Sequence, residues 1–408
     1  MVTLHFLGTI KAFTFRIATG LFALILIFFI LNLLYVFARD LYERLRAPTR
    51  FRMRDTLIDY MLGETGIDSL SFGRFQRATF IEVFTNIVSL IRGKKQERLK
   101  VAVKNLGLIS FLESSLFNVS PVKRIRSCRM LGLLESVSSA DVLTRKLFDP
   151  NPRVVSAAII AAGEIKDEKT LPALLKLFSE CSFPHAWLIA SILSSFGKAV
   201  YEPIKPYLKQ EKLPEKKLIL LLKVIGELQL VESIEELKAL YMESTNIDVR
   251  IASMNALGKL NDLFAVKIIL DALSHPSWQL RATACRIIGE MCIKGAAYRL
   301  IPLLKDSNYY VRKNAANALV GLGKLGITAM LAYLDVDDRY ARDMIVQTLI
   351  ARGIVDNAII DLDATDEKKR NEALILIKSI IRKGYIEYLR NFYTTHPTIG
   401  RLIESAGY

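Results

Sequence analysis

Residues 244–258 read STNIDVRIASMNALG, and this stretch decides the fold because the chain repeats it. Related stretches return at residues 278–289, WQLRATACRIIG, and at residues 310–321, YVRKNAANALVG. Each copy places an apolar residue beside an arginine, continues with small residues and ends at a glycine. Similarity that recurs at a regular spacing indicates a repeat protein.

Glycine marks the spacing of the copies. Successive marker glycines lie about 30 residues apart, which is the range of helical repeat arrays. They are Gly132, Gly163, Gly197, Gly226, Gly258 and Gly289. Between the markers, apolar residues such as Leu171, Leu174, Leu175 and Phe178 recur three and four positions apart, which predicts helices rather than strands. Each repeat is therefore predicted to be a pair of helices.

Small residues indicate how the pairs stack. Ala158 and Ala316 stand in the first helix of their pairs, where a small side chain lets neighbouring helices approach closely. A lone pair cannot bury its apolar face, so each pair must stack on the next. The sequence predicts an all-α fold built from stacked helical hairpins.

The repeated pattern resembles the HEAT-repeat family, including its bacterial subgroup with lyase-type HEAT-like repeats. In that family an Asp precedes Val-Arg, small residues and a terminal Leu-Gly, and Asp306, Val311 and Arg312 match these positions. The resemblance covers roughly residues 95–385 and implies a right-handed α-solenoid. It does not specify a function.

Several copies depart from the family pattern. Ser244 and His275 replace the Asp in two copies, and Ile189 and Leu218 replace the Arg in two others.

An apolar segment precedes the repeats. Residues 17–37 read IATGLFALILIFFILNLLYVF without a charged side chain, and a helix of this length spans the roughly 30 Å hydrocarbon core of a bilayer. A cleaved signal peptide would have a shorter apolar region and a small-residue cleavage site, whereas Arg39 and Asp40 follow here. We therefore predict one retained transmembrane helix. Pro48 is expected to end any helix that continues from it, because proline lacks an amide donor.

More basic residues follow the apolar segment closely than precede it, where only Lys11 and Arg16 lie. Those that follow it are Arg39, Arg44, Arg46, Arg50, Arg52 and Arg54. The positive-inside rule then places the repeats in the cytoplasm of a single-pass protein of a bacterial inner membrane. We predict that these arginines contact anionic lipid or a membrane-bound partner; a purely topological role is the alternative.

These features divide the chain into five predicted parts. Residues 1–16 are a short extracytoplasmic or interfacial segment, and residues 17–38 are the transmembrane helix. Residues 39–93 are basic juxtamembrane and capping helices, and residues 94–385 are the HEAT-like solenoid. Residues 386–408 are the C-terminal cap, because terminal repeats need an atypical outer face.

Composition and motifs narrow the function. A net charge of +15 and a pI near 9.5 favour anionic partners. Four cysteines without a closely spaced pair indicate a reduced compartment. Motifs for phosphate binding, dinucleotide binding, a serine nucleophile or a zinc protease are absent. We therefore predict that the chain is not an enzyme and has no catalytic residue, cofactor or metal ligand.

Three isolated sites favour structural roles. Cys181 and His185 lie four apart on one predicted helix, but Pro184 lies between them and no further ligand is near in sequence, which argues against a metal site. His275 stands at a helix-entry turn, where a capping role is favoured over that of a catalytic base. Cys285 occupies a repeat position that calls for a small buried apolar residue.

Arginine recurs once per layer in the regular copies. Two interpretations remain open: a structural ladder of pairs with acidic residues of adjacent turns, or a row that binds anions. The family resemblance favours the ladder. Its predicted members are Asp149, Arg250, Arg281, Asp306 and Arg312.

The functional hypothesis is a membrane-anchored HEAT-repeat scaffold or adaptor that mediates protein–protein interaction at the cytoplasmic face of the membrane. Its expected partner is a membrane protein complex, and a narrower hypothesis makes it an accessory subunit of a membrane glycosyltransferase or exopolysaccharide complex. One alternative is a lyase-like or ligand-binding HEAT protein, because related HEAT-like repeats assist bilin attachment. The other is a membrane-tethered nucleic-acid binder. A membrane anchor argues against it, so nucleic acid is not an expected partner.

Overall fold

The computed structural model describes residues 2–70, 73, 76–88, 90–208, 213–335 and 337–408, with the backbone alone for residues 2–18. Within these residues the regular structure is helical and no strand occurs. The chain divides into two compact units, Met1–Ser139 and Ala140–Tyr408, which we call unit 1 and unit 2.

Unit 1 begins with one long helix. Its helices are α1 (Val2–Leu62), α2 (Arg77–Val88), α3 (Lys94–Asn105), α4 (Leu108–Ser115) and α5 (Pro121–Leu133). The predicted helix end at Pro48 is wrong, because α1 continues through it. After Pro48 the helix packs against α2 and α3, burying Leu57 and placing Tyr60 beneath the guanidinium of Arg98, 4.9 Å from the ring centre. We attribute the continuity to this packing, which offsets the roughly 3 kcal/mol that an internal proline costs a helix.

The apolar part of α1 is left uncovered. Between Thr19 and Leu62 this is a helix long and apolar enough to cross a bilayer, and none of its most apolar stretch is buried within the described residues. Large side chains such as Phe22, Phe28 and Phe37 are exposed. A membrane span and a signal sequence near an N-terminus share these properties.

Unit 2 is an α-solenoid of helical pairs, as the sequence predicts. The first helices of the pairs are α7 (Pro152–Ile165), α9 (Phe183–Leu193), α11 (Glu215–Leu228), α13 (Ile247–Leu260), α15 (Trp278–Glu290), α17 (Tyr309–Gly321) and α19 (Arg339–Ala351). The second helices are α8 (Leu171–Glu180), α10 (Tyr201–Ile204), α12 (Ile234–Glu243), α14 (Leu263–Asp271), α16 (Ala297–Leu300), α18 (Lys324–Tyr333) and α20 (Ile354–Asp361). Helix α6 (Ala140–Lys146) precedes them, and α21 (Glu367–Arg382), α22 (Glu387–Arg390) and α23 (Pro397–Ser405) follow.

Amide or carboxylate side chains start several of the first helices. Asn246 accepts hydrogen bonds from the backbone N–H groups of Asp248 and Val249, and Asn308 accepts one from Tyr310. These bonds satisfy amides that have no partner inside the helix. The sequence therefore encodes the start of these layers locally.

Glycine sets the distance between successive first helices. A Cβ atom on Gly258 would lie 2.5 Å from Cγ2 of Ile287, and one on Gly289 would lie 2.8 Å from Cα of Ala318. The next first helix thus occupies the space that a side chain would need. Buried residues such as Ala316 complete this close contact.

Gly197 does not belong to this series, and its predicted place in the register is wrong. Helix α9 ends at Leu193 and the chain enters a 3-10 segment, Ser194–Val200, in which Gly197 has φ +63° and a Cβ would contact nothing. Counted from the N-cap Ser182, the arginine position of this layer falls at Ala186 instead of Ile189. The irregular end of α9 has no simple signal in the apolar spacing.

The regular stacking ends after α19. Helix α21 packs chiefly against α20, whereas each first helix from α7 to α19 packs against its neighbouring first helices. Ile377 and Ile380 of α21 remain part of the apolar core, and Ile399 and Ile403 of α23 are buried in the same cluster. The predicted boundaries of the five parts stay predictions.

Candidate functional site

The juxtamembrane arginines of unit 1 have different surroundings. Arg46 donates a hydrogen bond of 2.5 Å to Oγ1 of Thr79, and Arg50 pairs with Glu43 at 2.5 Å and with Glu82 at 3.5 Å. These contacts tie the basic part of α1 to α2. Both arginines therefore help to hold α1 in unit 1, whatever else they bind.

Exposed arginines complete the set. Arg44 pairs with Asp40 at 2.8 Å and Arg54 with Asp55 at 3.2 Å, both at the surface, where an ion pair contributes at most about 1 kcal/mol. Arg39 and Arg52 are exposed, and their guanidinium groups pair with no carboxylate of the described residues. Contact of these groups with lipid or a partner stays a prediction.

Arg281 links two layers of unit 2. Its guanidinium donates to both carboxylate oxygens of Asp306, at 2.7 and 2.9 Å, and Nη1 donates to the carbonyls of His275 and Pro276 at 2.8 Å. Burial acts to raise the pKa of Asp306, but hydrogen bonds from Arg281 and from the Asn308 amide outweigh it and lower that pKa. The pair joins the turn before α15 to the turn before α17.

Arg312 repeats half of this arrangement. Its Nη1 donates to the carbonyls of Asp306 and Ser307, at 2.8 and 3.1 Å. Its Nε is buried without a hydrogen-bond partner among the described residues, and its guanidinium lies 5.4 Å from the ring centre of Tyr340. In the layer below, Arg281 meets the carboxylate of Asp306. Arg312 instead meets the ring of Tyr340 near the start of α19.

Arg250 and Asp149 show how the ladder varies. Arg250 donates through Nε to the Tyr241 carbonyl at 2.8 Å, and its Nη2 lies 3.0 Å from Nε2 of His275. Asp149 accepts a hydrogen bond of 3.0 Å from the backbone N–H of Asn151 and so shapes the turn before α7. The structural role of the whole ladder stays a prediction.

Sequence reasoning missed further members of the series, Arg124 and Arg370 among them. Arg124 of unit 1 donates to the carbonyls of Asn118 and Val119, each at 2.9 Å, and Arg370 of unit 2 donates to the Ala364 carbonyl at 2.9 Å. Both stand four residues after their N-cap, as Arg281 and Arg312 do. Counting from the N-cap would have found them.

His275 replaces the ladder carboxylate with a ring. Its Nδ1 accepts the backbone N–H of Ser277 at 3.0 Å, so in the neutral ring Nε2 carries the proton and faces the Arg250 guanidinium. Burial, then the charges of Arg250 and Arg281, lower the pKa of His275. In this tautomer Nε2–H and the Arg250 guanidinium are both donors, so the ring makes no hydrogen bond to Arg250, whereas a carboxylate at this position would accept one.

The cysteines and His185 form no reactive cluster in the described part of the chain. Burial raises the pKa of the Cys285 thiol to about 12 and raises that of Cys181 as well, so both thiols stay protonated. His185 lies 3.1 Å from the Ser156 hydroxyl through Nε2. No group of three or more possible metal ligands occurs in these residues.

The end of the regular stacking leaves a large open groove, here called the C-terminal groove. It has a volume of about 770 Å³ and lies between α18, α20 and α21. Its apolar lining includes Ile327, Leu331, Ala332, Ile354, Ala358, Ile375 and Leu376. This size falls within the range of small-molecule sites, roughly 300 to 1,000 Å³.

Charged side chains border the C-terminal groove. Lys324 pairs with Glu372, and Arg382 pairs with Asp335 at 3.0 Å. A hydrogen bond from Lys383 is the main cause that lowers the pKa of Asp335, which keeps this carboxylate ionised. Lys369 lies at the same border and pairs with no carboxylate of the described residues. The groove thus combines an apolar floor with a border that holds an unmatched cation.

A smaller depression lies among the regular first helices. It has a volume of about 490 Å³, and Gly226 and Gly258 are part of its lining. Arg286 at its edge pairs with Glu290 at 2.6 Å and with Asn255. The depression is smaller and less apolar than the C-terminal groove, so it is less suited to a large apolar ligand.

Comparison with known proteins identifies the repeats. Residues 107–190 and 266–350 match the family described as HEAT repeats, so these parts of the chain are HEAT repeats. A curated relative, "Bilin biosynthesis protein MpeU" from Synechococcus sp. (strain WH8020), is 36% identical over 99 residues. The match covers 23% of this chain and 32% of the relative, so it spans about a third of that protein.

Solved structures of similar fold include two solenoid proteins. The complex of CpcE and CpcF of phycocyanin lyase from Nostoc sp. PCC7120 shares 16% identity, with 59% of this chain and 94% of that chain covered and a TM-score of 0.29. Kap121p shares 12% identity, with 90% of this chain and 49% of that chain covered and a TM-score of 0.47. At such identities the similarity concerns the fold and not an activity.

The comparisons correct one prediction. The prediction that the chain is not an enzyme is wrong, because the relative that matches it over 99 residues is a bilin biosynthesis protein. The absence of catalytic sequence motifs was a poor guide to enzyme function, because residues that line a groove between helices need not form a motif in the sequence. Residues 107–190 and 266–350 are thus HEAT repeats, and a bilin biosynthesis protein is among the relatives of the chain. No comparison bears on a glycosyltransferase or exopolysaccharide complex, and that link stays a prediction.

Proposed function

We propose that this HEAT-repeat chain binds a bilin, an open-chain tetrapyrrole, in its C-terminal groove and promotes attachment of the bilin to a protein acceptor. The observation that carries the proposal is the 36% identity to a bilin biosynthesis protein over 99 residues. The C-terminal groove supports it, because it is the larger and more apolar of the two depressions described above.

The lining of the groove suits this class of ligand. A bilin combines an extended apolar ring system with carboxylate side chains and pyrrole N–H donors. Ile327, Leu331 and Leu376 offer an apolar floor for the rings, and Lys369 offers a cation for a carboxylate. Asp361 at the border offers acceptor oxygens for the pyrrole N–H groups. The groove would thus hold the ligand by one face and leave the other open to an acceptor.

The contribution to attachment is positioning. A bilin held at a fixed orientation meets an acceptor side chain as part of one complex, which converts a bimolecular step into an effectively unimolecular one. Polar groups at the groove border, such as Asn357 and Asp361, stand next to the open face of the ligand. The HEAT repeats that precede the groove in the chain supply a surface for the acceptor protein.

Titration with biliverdin tests the binding step. The full-length chain in detergent is expected to give a saturable red shift of biliverdin absorbance and increased fluorescence. Ala332→Trp places a bulky side chain in the groove and is expected to weaken this binding at least about tenfold, about 1.4 kcal/mol. The matched control is Ile360→Trp, at an exposed position of α20 that does not line the groove. Equal affinity in both variants would contradict the proposed site.

Transfer is measured separately. The chain, biliverdin and an unmodified phycobiliprotein subunit are incubated, and covalent product is detected as bilin colour that survives denaturation of the acceptor. The intact chain is expected to increase the rate of product formation, and Ala332→Trp is expected to abolish the increase. Saturable binding without any increase in transfer would leave a bilin-binding protein and rule out the catalytic part.

We further propose that α1 anchors the chain in a membrane, with the solenoid in the cytoplasm. The support is the uncovered apolar surface of α1 and the arginines that follow it, Arg39, Arg44, Arg46, Arg50, Arg52 and Arg54. These arginines would face anionic lipid and a membrane protein complex that acts as partner.

Cys292 gives a direct test of this orientation. It is the exposed cysteine of unit 2, whereas Cys285 is buried. A membrane-impermeant thiol reagent is expected to label it in inverted membrane vesicles and not in right-side-out vesicles. Cys292→Ser is the control for the site of labelling. The reverse pattern would place the solenoid on the opposite side, and labelling in a soluble fraction alone would exclude the anchor.

A further inference from the structure

A row of exposed aromatic rings runs along one edge of unit 2. Trp278 stacks on Tyr310 with ring centres 5.7 Å apart, and Tyr310 meets Tyr309 edge to face at 5.6 Å. The Arg312 guanidinium lies 6.0 Å from the ring centre of Tyr309 and 5.4 Å from that of Tyr340. We call these four rings and Arg312 the aromatic edge. It connects three successive layers, because its rings stand at the starts of α15, α17 and α19.

The aromatic edge faces solvent. Trp278 is 38% exposed, Tyr309 49%, Tyr310 58% and Tyr340 69%. The tyrosine hydroxyls accept or donate no hydrogen bond within the described residues, so they are available to another molecule. Contiguous exposed apolar surface on a folded domain usually marks an interaction site.

The fold does not require aromatic residues at these positions. The first two helical positions of other layers hold Pro152 and Arg153, Glu215 and Lys216, or Ile247 and Asp248. The rings make no cap hydrogen bond: Asn308 caps α17 and Asp338 caps α19 through their side chains, and α15 begins after Ser277 without a side-chain cap. Rings at the next positions add nothing to the cap, so their clustering in three layers points to recognition.

Cations outnumber carboxylates beside the aromatic edge, where Arg312, Lys313 and Lys305 stand with Asp306 and Asp338. Asp306 is occupied by Arg281 and by the Asn308 amide, and Asp338 accepts the Ala341 amide at the start of α19. Lys313 lies 6.0 Å from the ring centre of Tyr309, and no carboxylate of the described residues pairs with it. Lys305 on the neighbouring turn is likewise placed over a ring, that of Tyr333. Unmatched cations beside aromatic rings favour an acidic occupant.

We propose that the aromatic edge binds an extended, proline-containing acidic segment of a partner protein. Proline rings pack well between aromatic side chains, and a polyproline II segment is already extended, so little conformational entropy is lost on binding. Its carbonyl groups accept hydrogen bonds from the free tyrosine hydroxyls and the Trp278 indole N–H. Its carboxylates meet Lys313 and Arg312. This surface is distinct from the C-terminal groove and does not depend on a bilin.

Trp278 reports on its own site. The chain has two tryptophans, so Trp187→Phe leaves Trp278 as the sole tryptophan of the full-length chain in detergent. The probe is a synthetic peptide in which proline and glutamate alternate. It is expected to cause a saturable change in tryptophan fluorescence. Peptides with lysine in place of glutamate, or alanine in place of proline, are expected to bind at least about tenfold more weakly.

Variants of the rings locate the binding. Tyr310→Ala and Tyr340→Ala are each expected to weaken binding at least about tenfold, whereas Tyr298→Ala, at another exposed tyrosine on α16, leaves it unchanged. Both substituted rings are largely exposed, so thermal melting should match that of the parent chain. Ala332→Trp is expected to leave peptide binding intact, which separates this site from the groove.

Three results would overturn the proposal. One is the absence of a saturable fluorescence change with the proline–glutamate peptide. Another is equal affinity for the lysine peptide, and the third is equal binding by Tyr310→Ala, Tyr340→Ala and Tyr298→Ala. Tighter binding of a glucose oligosaccharide than of the peptide would assign the rings to carbohydrate instead.

Discussion

The layers from α11 to α17 and the region from α18 to α23 are built from similar helices, but the first pack closely and the second leave an open groove. In the regular layers, Gly258 and Gly289 bring the next first helix so close that no side chain fits between. In the C-terminal region α21 packs chiefly on α20 and leaves about 770 Å³ open beside it. Close stacking at these glycines leaves no room for a side chain, whereas a change of packing partner leaves an open groove. The first two predictions below compare a position in the regular layers with one in the C-terminal region, and the others test the regular layers alone.

Replacement of alanine by aspartate should show the largest difference in stability between the two regions. Ala316 is fully buried, so Ala316→Asp places a charge where it has no partner and is expected to lower the free energy of unfolding by several kcal/mol. Ala332→Asp, at an exposed position lining the C-terminal groove, is expected to change it by less than about 0.5 kcal/mol. Denaturant unfolding of unit 2, followed by circular dichroism, measures both. Equal effects would mean that the regular layers are not packed as described.

Loss of an ion pair should likewise cost more stability in the regular layers than in the C-terminal region. Arg281→Ala leaves the largely buried Asp306 carboxylate without its bidentate partner and is expected to cost about 3 kcal/mol. Arg382→Ala removes an exposed pair with Asp335 at the groove and is expected to cost at most about 1 kcal/mol. Chemical denaturation at low and high salt checks this, since salt should reduce the second effect and hardly the first.

The pair of Arg281 and Asp306 also makes acid sensitivity predictable. The pKa of Asp306 is lowered in the folded state, so its contribution is fully present above the unfolded pKa of about 3.9 and is lost as pH falls through the folded value. Below pH 4 the parent chain should therefore lose stability faster than Arg281→Ala. Melting temperatures measured from pH 6 to about 2 test this. Parallel curves would show that Asp306 gains nothing from the pair.

Glycine positions give a smaller contrast. Gly289→Ala forces a Cβ against the α17 backbone at Ala318 and is expected to cost about 1 to 3 kcal/mol, although alanine usually favours a helix. Gly295→Ala meets nothing within 4 Å and serves as the control. Thermal melting of the two variants provides the comparison. A stabilised Gly289→Ala would show that the two helices are farther apart.

Substitution of His275 should give the smallest change in stability, and it should stabilise the fold where the other substitutions destabilise it. His275→Asp supplies the carboxylate that Arg250 lacks and is expected to stabilise unit 2 by about 1 kcal/mol. The pKa of His275 is lowered in the folded state, so the parent chain should lose stability as pH falls below the unfolded value of about 6.5. The variant should lack this loss. Melting between pH 8 and 5 measures both effects, and a destabilised variant at pH 8 would contradict the ladder geometry at this layer.

Much of the fold was predictable from local signals. The spacing of apolar residues predicts helices, Asn246 and Asn308 mark helix starts, and Gly258 and Gly289 mark the close contact between layers. The predictions failed where a contact distant in sequence decides the outcome. Pro48 sits inside α1 because the helix beyond it packs on α2 and α3, and Gly197 leaves the series because α9 ends early.

The candidate sites were harder to predict. No spacing in α21 indicates that it packs on α20, so the C-terminal groove has no signature in the sequence. Trp278, Tyr310 and Tyr340 lie about 30 residues apart and were visible as residues of the repeats, yet only the stacked layers bring their rings together. The arginine series was found in part, because the register was counted from glycines instead of N-caps.

The sequence by itself determined the all-α class, the repeat length, the paired helices and an apolar helix long enough for a membrane. These follow from periodicity, capping and side-chain volume, which act over one or two turns of helix. The tertiary structure alone decided where stacking stops, which arginine meets which carboxylate, and which side chains border an open space. Those outcomes depend on how whole helices dock, and docking is a sum of many small contacts between residues far apart in the chain.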